Sequence, residues 1–203
     1  QVYCWNDGKN ACVAFRGTEP TQWSDIKADL KIRKVKCPTG FVHRGFRDAL
    51  DEVWQDVSNW LVKQKKEQVF FTGHSLGGAL ATLAASRWNT VTTHLYTFGS
   101  PRVGGRKFVQ SFKTSERYRY RNNNDIVTRV PFEILGYKHV SGDGGKFIYF
   151  DVDGNVSKKF SRWYMFKQWL KGTLRGFGKL KVDGFSDHSI EAYYNFCRKE
   201  WQK

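Results

Sequence analysis

The sequence predicts an α/β fold with a mostly parallel central sheet, an antiparallel hairpin at the edge of that sheet, and flanking helices. Two stretches carry this prediction. Val69 to Ser86, VFFTGHSLGGALATLAAS, indicates a buried strand, a tight turn and a helix opened by small residues. His94 to Phe98 indicates a second strand. Because a strand, a helix and a second strand form a crossover unit, the two strands are expected to run parallel.

The N-terminal region predicts a β-hairpin followed by a short helix and an exposed strand. Gln1 to Trp5 and Ala11 to Phe15 flank Asn6-Asp7-Gly8-Lys9, whose Asp-Gly pair is typical of a tight hairpin turn. In Thr21 to Leu30, apolar residues recur three and four positions apart, which suits a short helix. Lys31 to Lys36 is basic, and we expect an exposed strand there.

The stretches around the crossover unit predict further helices and strands. Phe46 to Leu61 carries apolar residues three and four positions apart, with acids and amides between them, which predicts an amphipathic helix. After the crossover unit, Arg106 to Phe112 suits a short helix and Arg117 to Arg121 a further strand. Lys146 to Val152 leads into Asp153-Gly154, a second hairpin signal that predicts an antiparallel edge.

The length suits one domain spanning residues 1–203, with a basic aromatic insertion at about 157–183. No stretch approaches the roughly 18 consecutive apolar residues that cross a bilayer, so we expect a soluble protein. The cysteines lack the close paired spacing of a zinc site, and no metal or cofactor is expected. The sequence is compatible with either disulfides or free thiols at Cys4, Cys12, Cys37 and Cys197.

The net charge of +15 favours contact with anionic surfaces, such as nucleic acid or acidic lipid headgroups. No nucleic-acid-binding motif accompanies the charge, so nucleic acid is not expected as a partner. Lys158 to Lys181 holds eight Lys or Arg residues and no acid, with aromatic residues at helical spacing. This pattern suits a helix on an anionic membrane or lipid-droplet surface, or a helix whose aromatic residues pack in the core. A secreted or membrane-peripheral location is favoured over a cytoplasmic one.

A reactive serine is predicted in the turn between the buried strand and its helix. Gly73-His74-Ser75-Leu76-Gly77 matches the G-x-S-x-G pattern, in which a serine stands at the apex of a sharp strand-to-helix turn. A serine hydroxyl is a weak nucleophile until a base takes its proton, and the base needs an acid to fix its tautomer. Ser75 therefore requires a histidine and an acid elsewhere in the chain.

His188 is the predicted base among the five histidines. It follows the turn that holds the serine and lies just before Ile190 to Trp201, whose apolar positions predict a terminal helix that anchors it. His139 also follows that turn and stays the alternative, although it looks like a strand residue. The other three histidines are expected to be structural or, for the neighbour of the serine, to point away from it: His43, His94 and His74.

Asp125 is the predicted acid. It follows a strand and three asparagines, and it precedes apolar residues that would hold its loop by burial. In an open parallel sheet the functional loops lie beyond the carboxyl ends of the strands, so Ser75 and Asp125 can share one crevice. Asp187 is less suitable because it adjoins His188, too close in sequence to turn its carboxylate easily onto that ring.

An acyl-transfer intermediate also needs preorganised donors for its oxyanion. The backbone N–H of Leu76, the residue after the nucleophile, is one such donor by geometry. The second is expected from an early loop at the end of a strand. Thr18 is the candidate, through its N–H and its hydroxyl.

Taken together, these motifs resemble the class 3 (fungal-type) lipase family of the α/β-hydrolase superfamily over most of the chain. The matching motifs are, in order, Phe15-Arg16-Gly17-Thr18, Val42-His43-Arg44-Gly45-Phe46, Gly73-His74-Ser75-Leu76-Gly77-Gly78-Ala79, Phe98-Gly99-Ser100-Pro101-Arg102-Val103-Gly104, Asn124-Asp125-Ile126-Val127 and Asp187-His188. The resemblance implies a triad of Ser75, Asp125 and His188, with Thr18 and Leu76 as oxyanion donors. It implies a serine ester hydrolase, a lipase that cleaves carboxylic esters of glycerolipids through an acyl-enzyme intermediate.

The family's lid, a mobile helix after the oxyanion loop, would here be compressed into about Glu19 to Ser24. Glu19, Pro20 and Trp23 are the predicted lid and substrate-access residues, and strong interfacial activation is not expected. The resemblance favours triacylglycerol as substrate, whereas the positive charge favours phospholipase A1 or lysophospholipase activity on anionic membranes. A catalytically silent lipid-binding module is a further alternative, against which the intact triad argues.

Overall fold

The structure is a computed structural model that describes residues 1–17, 33–88, 92–140, 145–157, 161–177 and 187–202, the side chains of residues 162, 169 and 172–177 aside. The strands, in chain order, are β1 (Val2–Asn6), β2 (Asn10–Phe15), β3 (Lys34–Cys37), β4 (Gly40–His43), β5 (Gln68–His74), β6 (Thr92–Phe98), β7 (Gly104–Gly105), β8 (Glu116–Asn122), β9 (Tyr137–Lys138), β10 (Gly145–Phe150) and β11 (Val156–Ser157). The helices are α1 (Arg44–Gln64), α2 (Leu76–Arg87), α3 (Arg106–Gln110), α4 (Arg162–Phe177) and α5 (Ile190–Trp201). The short helix predicted at Thr21 to Leu30 lies outside the described residues.

A seven-stranded sheet in the order β1-β2-β5-β6-β8-β10-β11 forms the centre of the described structure. Strands β2, β5, β6, β8 and β10 run parallel, whereas β1 and β11 pair antiparallel at the two edges. The predicted mostly parallel sheet with a hairpin edge is confirmed. In the register of the central strands, His74 stands opposite Phe98, and Phe98 stands opposite Tyr120. The carboxyl ends of these three strands therefore meet at one edge of the sheet.

A second, four-stranded sheet in the order β3-β4-β7-β9 is antiparallel throughout. The exposed strand predicted at Lys31 to Lys36 corresponds to β3 in this sheet. His139, expected in a strand, lies just after β9, and its ring Nε2 bonds the carbonyl oxygen of Thr128 at 2.7 Å. The two-residue strands β7 and β9 are too short to leave a period in the sequence.

The helices follow the predicted amphipathic patterns. Helix α1 extends the predicted Phe46 to Leu61 helix at both ends, and α5 has the predicted bounds. The Ser189 side chain caps α5 by accepting the backbone N–H of Glu191 at 3.2 Å. No helix in the described ranges combines the length and apolarity needed to cross a membrane. The thiols of Cys4, Cys12, Cys37 and Cys197 are all free.

Helix α4 leaves its aromatic face in solvent. The side chains of Trp163, Phe166 and Leu170 are 64%, 47% and 43% exposed. These residues are separated by three and four positions, so they share one face of the helix. The sequence left two interpretations of the basic aromatic segment, a helix on a lipid surface and a helix whose aromatic residues pack in the core. The exposure of these three side chains shows that the second interpretation is wrong for them.

Helix α2 lies directly against the sheet because its first turn contains glycines. A Cβ atom on Gly77 would overlap the backbone carbonyl of Phe15 at the end of β2. A Cβ atom on Gly78 would lie 2.7 Å from the Cβ of Ser100, beyond the end of β6. The residues from Gly77 to Ala85 are all buried, so small side chains let this helix approach three strands at once.

The environments of three histidines favour the neutral form of their rings. His43 packs against Phe46 with ring centroids 4.3 Å apart, and neither of its ring nitrogens has a hydrogen-bond partner among the described residues. Burial lowers the pKa of His43, lowers that of His74 to about 4, and lowers that of His139 well below its usual range. Each therefore favours folding only while it stays unprotonated.

We expect Gly77→Ala to lower the free energy of unfolding by about 3 kcal/mol, because the added methyl group overlaps backbone that cannot move without displacing β2. Urea denaturation followed by circular dichroism measures the change. The matched control is Glu52→Ala on the exposed face of α1, which should stay within about 0.5 kcal/mol of the parent. Equal stability of Gly77→Ala and the parent would contradict the close approach of α2 to β2.

We expect stability to be complete above about pH 6.5 and to fall as the pH drops below it. The folded pKa values of His43, His74 and His139 are lowered, so the unfolded chain binds protons that the folded chain does not. Each histidine contributes up to about 1.4 kcal/mol per pH unit in that window. Urea titrations at pH 7, 6 and 5 test this, and His43→Leu should flatten the dependence. A constant free energy of unfolding across the three pH values would overturn it.

Candidate active site

Ser75 stands between β5 and α2 in a backbone conformation that side chains rarely adopt. Its φ is 58° and its ψ is −128°, so the chain turns sharply at this residue. Its N–H donates to the carbonyl oxygen of Phe98 at 2.9 Å, and its own carbonyl oxygen accepts the N–H of Gly78 at 3.0 Å. The side chain is buried, and its hydroxyl makes no hydrogen bond within the described residues. Such bonds at catalytic sites are often long before substrate binds.

Asp125 lies in the turn after β8, where its carboxylate is fully buried and accepts three donors. The ring Nδ1–H of His188 lies 2.9 Å from Oδ2 and 3.0 Å from Oδ1. The backbone N–H of Val127 donates to Oδ1 at 2.9 Å, and the Tyr193 hydroxyl donates to Oδ2 at 2.6 Å. The acid and the base predicted from the sequence are thus in direct contact.

Tyr193 is a residue of the site that the sequence analysis did not identify. It lies in the first turn of α5 and links Asp125 to the sheet, because its oxygen also accepts the backbone N–H of Asn122 at 2.8 Å. Burial and the adjacent Asp125 raise the pKa of Tyr193 well above its usual range. The hydroxyl therefore stays protonated and acts as a permanent donor to the carboxylate. The one signal in the sequence was its position five residues after His188, in the first turn of the predicted terminal helix and therefore near the predicted base.

The turn that carries His188 is tied to the end of β8. The backbone N–H of Asn124 donates to Asp187 Oδ2 at 2.9 Å, and the side-chain amide of Asn122 donates to the Asp187 carbonyl oxygen at 3.0 Å. Asp187 thus connects two loops, and its carboxylate is directed at the backbone of Asn124. The carboxylate that contacts the His188 ring belongs to Asp125, as expected.

The residues predicted to bind the oxyanion are only partly within the described chain. The N–H of Leu76 belongs to the first turn of α2, where backbone N–H groups lack intrahelical acceptors. Thr18 lies outside the described residues, as do the predicted lid residues Glu19, Pro20 and Trp23. Gly17, the last described residue before them, passes close to the serine: a Cβ there would lie 2.6 Å from the His74 carbonyl oxygen and 3.1 Å from the Ser75 Cβ.

The other histidines occupy separate environments. His43 belongs to the core beside Phe46, and His94 stacks on Phe70 at the far end of β5 and β6, with ring centroids 4.6 Å apart. His139 bonds a backbone carbonyl and takes no part in the contacts of Asp125. His74 differs from these three, because its ring lies against that of His188 at a centroid distance of 4.5 Å.

The arrangement has the chemistry of a serine hydrolase. The carboxylate of Asp125 fixes the tautomer of His188 by accepting from Nδ1, which makes Nε2 the nitrogen for proton transfer. Gly99 closes the space behind these two residues, since a Cβ there would lie 2.7 Å from Asp125 Oδ2 and 3.0 Å from His188 Nδ1. The chain order of serine, acid and histidine is that of strand-to-helix nucleophiles on parallel sheets.

Comparison with known proteins gives consistent matches. A secreted mono- and diacylglycerol lipase of Fusarium solani is 39% identical over 129 residues, which are 58% of this chain and 38% of the relative. The solved structure of the Rhizomucor miehei triacylglyceride lipase superposes with a TM-score of 0.62 and 29% identity, covering 73% of this chain and 61% of that one. A triacylglycerol lipase structure described as having a serine protease triad at its catalytic centre gives a TM-score of 0.59 at 31% identity, covering 70% and 58%.

The family match covers more than half of the chain. This chain spans 38% to 50% of the length of the secreted mono- and diacylglycerol lipases that it matches. The sequence model of the lipase (class 3) family matches residues 12–135, which include the strand-to-helix turn of Ser75 and the Asp125 loop. The chain therefore belongs to the class 3 lipase family of the α/β-hydrolase superfamily.

Proposed function

We propose that the chain is a serine ester hydrolase that cleaves carboxylic esters of glycerolipids. The observation that carries the proposal is the buried contact of Asp125 with His188 beside the strained Ser75 turn. Packing alone does not require a buried carboxylate, an imidazole and a strained serine at one edge of a sheet. The names of the relatives, mono- and diacylglycerol lipases and triacylglycerol lipases, support glycerolipid esters as the substrate class.

In the proposed reaction, Ser75 Oγ attacks the ester carbonyl carbon while His188 Nε2 takes the hydroxyl proton. The N–H of Leu76, with Thr18 as the proposed second donor, stabilises the oxyanion that forms. The intermediate collapses by breaking the bond to the alcohol, which leaves with the proton from His188. Water then attacks the acyl-enzyme by the same route and releases the fatty acid and the serine.

We expect Ser75→Ala to lower kcat for ester hydrolysis by at least about 1000-fold, because the nucleophile is removed while the buried site accepts the smaller side chain. Hydrolysis of a short-chain nitrophenyl ester and of emulsified diacylglycerol measures the change. Circular dichroism should show that the variant is folded.

A matched labelling experiment separates this proposal from a silent lipid-binding module. A serine-reactive phosphonate should form an adduct on Ser75 of the parent chain and none on Ser75→Ala. Absence of an adduct in folded parent protein, together with unchanged ester hydrolysis in Ser75→Ala, would contradict the assignment of Ser75 as nucleophile.

Phospholipids in anionic membranes are a second candidate substrate, favoured by helix α4. The aromatic rings of Trp163 and Phe166 stack with centroids 5.7 Å apart on its exposed face, and the Lys167 ammonium lies 5.4 Å from the Trp163 ring. Exposed aromatic residues flanked by lysines are typical of helices that lie at a membrane interface. The net charge of +15 supports the same contact, in which residues 158–181 would bind an anionic membrane or a lipid-droplet surface.

We expect Trp163→Ala to weaken binding to vesicles that contain about 30% anionic phospholipid by about 10-fold, since it removes an indole ring that is 64% exposed on α4. Trp201→Ala on α5 is the matched control, because Trp201 is 90% exposed but lies outside α4. Sedimentation with vesicles at low and high salt measures the binding. Equal losses in the two variants would argue against α4 as the contact surface.

The remaining assignments follow from the family and extend the same proposal. We place the protein outside the cell or at a membrane periphery, in keeping with the secreted relatives. The chain is proposed as one α/β-hydrolase domain over residues 1–203, with an insertion at about 157–183 that contains α4. Glu19, Pro20 and Trp23 are proposed to form a short lid beside Thr18.

A further inference from the structure

His74 contacts His188, the predicted base, in addition to the contact that Asp125 makes with the ring Nδ1. The ring Nε2 of His74 lies 2.7 Å from the backbone carbonyl oxygen of His188. The two imidazole rings also stack, with centroids 4.5 Å apart and an interplanar angle of 29°. One side chain therefore contacts both the backbone and the ring of His188.

The hydrogen bond fixes the tautomer of His74. A carbonyl oxygen only accepts hydrogen bonds, so the proton of the neutral His74 ring is on Nε2. Burial, followed by the proximity of His188, lowers the pKa of His74 to about 4. The ring is therefore a neutral donor at any pH above about 5, and it places no positive charge beside the imidazolium that His188 becomes during the reaction.

His74 lies at the end of a central strand of the sheet. It is the last residue of β5, which pairs on both sides with parallel neighbours, β2 and β6. Gly17 packs so closely that a Cβ there would lie 2.6 Å from the His74 carbonyl oxygen. His188, in contrast, lies in a turn before α5. The contact thus connects the turn of His188 to the central strand that leads directly into Ser75.

We propose that His74 is a positioning residue that orients the backbone and the ring plane of His188 for proton exchange with Ser75; the proposal rests on the proposed ester hydrolase function. The hydrogen bond from Nδ1 to Asp125 fixes one atom of the His188 ring, and the stacking contact with His74 adds a constraint on the plane of the ring. The hydrogen bond from His74 to the His188 carbonyl oxygen ties the turn to β5.

The groups that face this pair come from the loop after β8 and from α5. Asp125 contacts His188 from the loop after β8, and Tyr193 of α5 lies against His74 with ring centroids 5.6 Å apart. No carboxylate in the described ranges forms an ion pair with His74, so its role is that of a neutral donor and a flat surface.

Three variants test the positioning role. His74→Gln places an amide N–H near the position of Nε2, His74→Phe keeps a ring but has no donor, and His94→Phe is the matched control at a stacked histidine far from the site. Phosphonate titration gives the number of active sites, so that kcat is expressed per active serine. Proton NMR follows the downfield resonance of the Nδ1–H shared by His188 and Asp125 without any substrate.

We expect His74→Phe to lower kcat per active site by about 10- to 100-fold with KM unchanged, the cost of a small misplacement of a catalytic group. Its Nδ1–H resonance should broaden or disappear. His74→Gln, which keeps the donor but lacks the stacked ring, should lose about threefold to fivefold in kcat with partial broadening of the resonance, whereas His94→Phe should match the parent. If His74→Phe fails to fold, His74→Asn, whose amide is too short to reach the carbonyl, should give the same loss.

Parent-like kcat and NMR resonance in His74→Phe would overturn the proposal, as would equal impairment in His74→Phe and His94→Phe. Failure of the proposed function is recognised separately. A parent chain that hydrolyses no ester contradicts the lipase assignment, whereas the Nδ1–H resonance still reports whether His74 holds His188 against Asp125.

Discussion

The carboxylate of Asp125 is completely buried, and the geometry of the site depends on the donors that make this burial tolerable. A buried charge without hydrogen-bond partners costs several kcal/mol, so loss of any one of these donors would destabilise the fold. Val127, His188 and Tyr193 supply these donors from three separate parts of the chain. The loop after β8, the turn before α5 and the first turn of α5 are consequently held at one point. The same interaction that stabilises the local fold orients the predicted base.

The parallel sheet brings the serine to this point. Strands β5, β6 and β8 end at the same edge, and the N–H of Ser75 donates to the carbonyl oxygen of Phe98 at the end of β6. The glycines on either side of Ser75 allow α2 to start directly beneath the serine, because no side chain separates the helix from β2. Backbone strain at Ser75 is thus balanced by close packing of the surrounding glycines and alanines.

Positive charge and exposed aromatic residues meet on a surface outside the catalytic arrangement. Helix α4 turns Trp163, Phe166 and Leu170 outward. Large apolar side chains are usually buried, so their exposure supports the proposed contact of this helix with a lipid surface. The proposed lipid contact is therefore separate from the triad: the triad depends on buried hydrogen bonds, whereas the proposed contact depends on charge and exposed apolar area.

The sequence by itself determined the strand-to-helix turn around Ser75, the parallel crossover and the identity of Asp125 and His188 as candidates, because turn chemistry and hydrophobic period are local properties of the chain. Of the second sheet the sequence predicted only the exposed strand that corresponds to β3, because β4 is short and the two-residue strands β7 and β9 have no period. Only the tertiary structure decided that Tyr193 and His74 hold Asp125 and His188, and that the aromatic face of α4 is exposed. Those contacts join residues 68 and 114 positions apart, and packing rather than local pattern selects them.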